Sequence, residues 1–143
     1  NQLLRQNISQ LAKQEVEIIL RGASANFSSF PLNNKPIYGE YFRLAYQYPS
    51  YPYVTISKFL FPNNTVAQNF YDEYLGHLRE QARARGGNET AIEADGYSGL
   101  MISGEGVNVI VRKGICVICA GTAAKQYDMI SRVLEWFITS GYG

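Results

Sequence analysis

Hydrophobic positions change period several times along this chain, and each change marks an element. The most apolar stretch runs from Gly106 to Gly121. Val107, Val109 and Val111 alternate with Asn108, Ile110 and Arg112, and the run Ile115-Cys116-Val117-Ile118-Cys119-Ala120 holds no polar residue. β-branched side chains fit a pleated surface, so both runs predict strands. Lys113-Gly114 between them supplies the tight turn, with Gly114 free to take a positive φ. A strand apolar on both faces must be central and covered on both sides.

Before this hairpin, apolar residues at Leu4, Ile8, Leu11 or Ala12, Val16, Ile19 and Leu20 recur at helical spacing and predict an amphipathic helix over 1–22, with Gly22 as its stop. Val16, Ile18 and Leu20 also alternate, which leaves the last third of that helix open to a strand. A Ser-, Asn- and Gly-rich crossing loop follows. Tyr38 to Tyr48 and Tyr53 to Phe61 alternate as strands, joined through Pro49-Ser50-Tyr51-Pro52. Thr65 with Gln68 reads as a capping box opening a helix whose stripe is Val66, Phe70, Tyr74, Leu78 and Ala82, stopped at Gly86-Gly87. Thr90 to Glu93 and Ser98 to Ser103 predict short strands broken at Asp95-Gly96. The last helix, from about Ala123 to Ser140, ends at Gly141.

The order predicts one α+β domain over 1–143, with 23–143 as its sheet and helix core. The expected sheet is antiparallel, of five to six strands, with helices packed on it. In layout alone this resembles the helix-sheet-helix sandwich of the Mog1/PsbP type, and a likeness of layout carries no function.

Composition narrows the partner classes. Charged residues are only 17% of the chain, and 13 Lys and Arg against 12 Asp and Glu give a net charge of +1. Nothing in that balance would steer the protein to nucleic acid. No run approaches the length of a membrane span. The chain does not begin with Met, so a membrane anchor upstream of Asn1 is allowed. Four N-glycosylation sequons begin at Asn7, Asn26, Asn63 and Asn88, where chance alone would give about one. They point to a secreted or cell-surface glycoprotein.

Candidate chemistry is sparse. Cys116 and Cys119 have CxxC spacing, but three residues apart on a strand they face opposite sides, so the expectation is two buried structural thiols. His77 is the only histidine and sits on the middle helix. Glu93 and Asp95 would share one strand face, yet Asp95-Gly96 also forms a turn without any catalytic role. The glycines at 96, 99, 104 and 106 do not precede a helix and make no phosphate loop. No cofactor or metal site is expected.

The densest unusual feature is Tyr46-Gln47-Tyr48-Pro49-Ser50-Tyr51-Pro52-Tyr53. Tyr46, Tyr48, Tyr51 and Tyr53 offer contact area at low entropic cost, as protein interfaces and sugar-stacking platforms do. The expectation is a noncatalytic interaction domain outside the cytoplasm, a subunit of a surface or membrane-associated assembly that binds a protein partner or itself. The alternatives are a small-molecule or carbohydrate binder and the subunit of a surface filament.

Overall fold

The computed structural model describes residues 16–23, 36–46, 53–83, 87–104, 106–122 and 127–142. Its strands are β1 (Val16–Ala23), β2 (Tyr38–Tyr46), β3 (Tyr53–Leu60), β4 (Glu89–Ala94), β5 (Tyr97–Ser103), β6 (Val107–Lys113) and β7 (Cys116–Thr122). The helices are α1 (Asn64–Arg83) and α2 (Tyr127–Phe137), the second running into one π-helical turn, Ile138–Tyr142. All strands join one antiparallel sheet in the order β1-β2-β3-β7-β6-β5-β4. The sheet is thus two meanders, β1 to β3 and β4 to β7, sewn together where β3 meets β7.

The α+β class and the antiparallel sheet stand as the hydrophobic pattern predicts. The sheet has seven strands because Val16–Ala23 is strand and not the end of a helix. A register shift between Ile18 and Leu20 explains the misleading period: Ile18 pairs with Leu44 and Leu20 with Arg43, leaving Ile19 as an extra residue. Such a bulge adds one residue to the strand and breaks strict alternation. The rest of the expected first helix lies outside the described residues.

Each face of the sheet carries its own core. On one face Phe42, Leu44, Val54, Ile56, Val109 and Ile118 meet Ile130, Leu134 and Phe137 of α2. Phe42 and Phe137 lie edge to face, 4.8 Å between centroids. On the other face Phe59, Ile110, Val117 and Cys119 meet Phe70, Leu75 and Leu78 of α1. Phe70 anchors this side, its ring 4.8 Å from Phe61 and 5.5 Å from Phe59. Burying side chains of this size stabilises by about 1.5–3 kcal/mol each. β7 feeds both cores, Cys116, Ile118 and Ala120 to one and Val117 and Cys119 to the other. This is why its sequence is apolar without alternation.

Turn chemistry fixes the second meander. Asp95 (φ 49) and Gly96 (φ 86) take the paired positive angles of a type I′ hairpin between β4 and β5. Between β6 and β7 the two-residue loop is Gly114-Ile115, one residue later than Lys113-Gly114, since Lys113 pairs with Cys116. Gly114 (φ 61) then takes the first central position, where a type II′ turn needs glycine. The start of α1 also differs from the expected Thr65 box. Asn63 caps it, Oδ1 accepting the Val66 amide at 2.9 Å, so the helix begins directly after Pro62-Asn63.

Candidate functional site

Cross-strand register builds an extended polar surface on the α1 side of the described sheet. α1 lies over β5, β6 and β7. On β2 and β3 the same face carries Tyr41 and Arg43 beside Ser57 and Thr55, all half-buried. Tyr41 is opposite Ser57 and Arg43 opposite Thr55. The row continues from Thr55 to Gly121 on β7 and from Gly121 to Asn108 on β6. Thr55 Oγ1 donates to the Gly121 carbonyl at 3.3 Å. A Cβ on Gly121 would lie 2.9 Å from Asn108 Oδ1, so glycine lets the Asn108 amide lie across the strand. Arg43, Thr55, Gly121 and Asn108 therefore stand side by side in register across four strands, with one side-chain bond, Thr55 to Gly121, along the row. The opposite face has apolar residues at the alternate positions, such as Phe42, Leu44, Val54 and Ile56.

Residues 47–52 of the tyrosine-proline segment lie outside the described residues. β2 and β3 enter it from either side, Tyr46 ending one and Tyr53 opening the other opposite Ala45. Tyr48 and Tyr51 lie outside the described residues. Residue density along the chain singles out these rings and passes over Tyr41, Arg43, Thr55 and Ser57. A signal for the second set exists in the sequence: they are the polar half of two alternating strands.

Both cysteines are free and buried. They point into different cores, as strand alternation requires, so no disulfide or shared metal site arises from this pair. Burial pushes the Cys119 thiol above its ordinary range, although it is hydrogen-bonded to Tyr74. Tyr74 is raised in turn, first by the charge Cys119 would carry and then by burial. Cys116 is raised by burial, and burial together with its bond to Cys116 raises Tyr97 on the other face. Both thiols are protonated at neutral pH, which is the wrong state for a nucleophile or a metal ligand.

The carboxylates are dispersed. Asp95 is in the hairpin turn and Glu93 is opposite Ser98, so the pair does not share a strand face in the way its spacing allows. Glu89 pairs with Arg79 at 2.9 Å, and Asp72 accepts from Gln68 Nε2 at 2.9 Å. His77 is exposed on α1. Among the described residues no three His, Cys, Asp or Glu gather as a metal site. Nor is any described helix long and apolar enough to cross a membrane.

Two of the four sequons can be placed. Asn63 and Asn88 are at the surface, while Asn7 and Asn26 lie outside the described residues. The backbone of Asn88 is fastened to buried Ser103: its amide donates to Ser103 Oγ at 3.0 Å, and its carbonyl accepts the Ser103 amide at 2.9 Å. The Asn63 side chain caps α1 through Oδ1. Each position holds its backbone fixed with the side chain at the surface.

The chain matches no protein-family model, and no curated protein matches it.

Proposed function

We propose that this protein is a noncatalytic interaction domain that works outside the cytoplasm. Its contact surface is the polar row on β2, β3, β7 and β6, together with the tyrosine-proline segment that joins β2 to β3 in the chain. The row itself carries the reading. Half-buried Tyr41 and Arg43 are of the two residue types that protein interfaces enrich, and Thr55 and Ser57 stand opposite them. Their partial burial already restricts these side chains, which lessens the freedom lost when a partner docks. The surface sequons at Asn63 and Asn88 support the compartment.

The contact is tested by placing the photoreactive residue p-benzoylphenylalanine at position 41 in the protein expressed in its own host. Tyr38 provides the control: it is an exposed ring on the same strand but at the other parity. A defined adduct, with another protein or a second copy of this chain, is expected from position 41 and not from 38. Equal adducts from both positions, or none from 41, would reject the surface.

A further inference from the structure

α1 and the β5–β6 pair enclose a depression of about 170 Å³ lined by Gln68, Tyr71, Ser98, Gly99 and Arg112. It lies on the same face as the polar row but toward the far edge of the sheet, beyond β7. Ser98 and Arg112 are directly opposed in the β5–β6 register. Gly99, which has no side chain, contributes only main chain to the wall.

Arg112 has an incomplete set of partners. Its Nη1 donates to Gln68 Oε1 at 3.0 Å and its Nη2 to the Asn64 carbonyl at 3.4 Å, both uncharged oxygens. Its Nε is buried and bonded to nothing. Leaving a buried donor unpaired costs about 1–3 kcal/mol, more on a charged group, so a turn of the guanidinium that gives this N–H an acceptor regains that cost.

We infer that this depression binds a carboxylate group, taken by the Nε and Nη2 edge of Arg112 once the guanidinium turns that now-buried edge outward, with Ser98 and Tyr71 in the lining. Two parallel N–H groups on one edge of a guanidinium match the two oxygens of a carboxylate. Tyr71 keeps its proton, because burial and the neighbouring Asp72 charge hold its ionisation above the ordinary value. A phosphate dianion fits poorly. Gln68, which accepts from Arg112, donates through Nε2 to Asp72, so a negative charge stands one amide beyond the guanidinium. Lys113 adds no charge here, since its Nζ is turned to the Asp95 carbonyl and the Tyr97 ring. The carboxylate comes either from a free small acid or from an acidic side chain of a bound protein. The inference does not depend on the contact row proposed above.

The test is a titration of arginine-labelled protein by nitrogen-15 NMR, reading the Arg112 Nε–H resonance, which is assigned by its loss in R112K. Sodium acetate and the peptide acetyl-Gly-Asp-Gly-amide are the probes, with phosphate at matched ionic strength as the comparison. A saturable shift with either carboxylate and a weaker response to phosphate are expected, as the guanidinium turns its Nε edge into the depression. S98A should weaken the apparent affinity by about two- to tenfold. Saturation by acetate alone assigns the site to a free acid; tighter saturation by the peptide assigns it to a protein side chain. A linear shift, no shift, or an equal response to phosphate that S98A leaves unchanged would overturn the inference.

Discussion

Asn63 accepts the backbone amide of Val66 through Oδ1 at 2.9 Å, so one side chain both caps α1 and opens a sequon. A glycan attaches to Nδ2 and leaves Oδ1 free to cap. The two roles therefore separate by mutation. T65A removes the sequon and keeps the cap, whereas N63A removes both and destabilises by about 1 kcal/mol. Intact mass of protein purified from its own host should exceed the bare chain, with the excess at Asn63 lost in both variants. Denaturant midpoints should fall only in N63A. A bare mass at both Asn63 and Asn88 would count against export.

Alkaline pH should weaken the fold through the thiols. Cys116 and Cys119 are raised above the ordinary 9.0 by burial, and Tyr74 and Tyr97 above 10.0. The native state keeps these protons while the unfolded chain loses them. Their stabilising effect is fully present below about pH 9 and is lost as pH rises toward the native values. Unfolding free energy should fall between about pH 8 and about pH 10, with a shallower slope in the C116A/C119A double variant. Identical slopes would show that these thiols stay protonated in both states or ionise in both. A thiol reagent at neutral pH should modify neither cysteine until denaturant is added.

Backbone geometry separates the glycines sharply. A Cβ added at Gly22 would meet nothing within 4 Å, whereas one at Gly99 would strike the Ile110 carbonyl at 1.8 Å. G99A should cost about 3 kcal/mol or more, because backbone must move. G114A should cost about 1–2 kcal/mol through its positive φ alone. Thermal or denaturant unfolding of these two variants beside G22A checks the ranking, and equal losses at 22 and 99 would contradict it.

Periodicity carries far where side chains face one core. The β2, β3, β5 and β6 strands, the middle helix and the opposed cysteines are all legible, because alternation and helical stripes follow burial directly. β1 is only half legible: Val16, Ile18 and Leu20 alternate, but the extra Ile19 adds a helical spacing to the same stretch. The cap of α1 falls two residues before the expected one because Asn63 and Thr65 both suit an N-cap, and local sequence does not say which amide each will reach. Arg112 reads as a charge at a strand end, but its buried Nε becomes visible only when α1 brings Gln68 and Asn64 over it. The contact row is half legible. Its strands are plain, while the run from Arg43 through Thr55 and Gly121 to Asn108 depends on a strand order that joins distant segments.

Gly121 gives a way to disturb that row without unfolding the protein. A methyl group there would meet Asn108 Oδ1 at 2.9 Å, and that atom is the end of a rotatable side chain, while its next neighbours, Thr55 Oγ1 and the Val107 carbonyl, are 3.8 Å away. Asn108 can therefore swing aside, and the row loses its amide while the ladder stays intact. G121A should shift stability by no more than about 1 kcal/mol, unlike G99A. The position-41 photoadduct should nevertheless weaken in G121A, because a partner lying along the row would meet a displaced amide and a new methyl group. An undiminished adduct in a folded G121A variant would confine the contact to β2 and β3, and remove Gly121 and Asn108 from the surface.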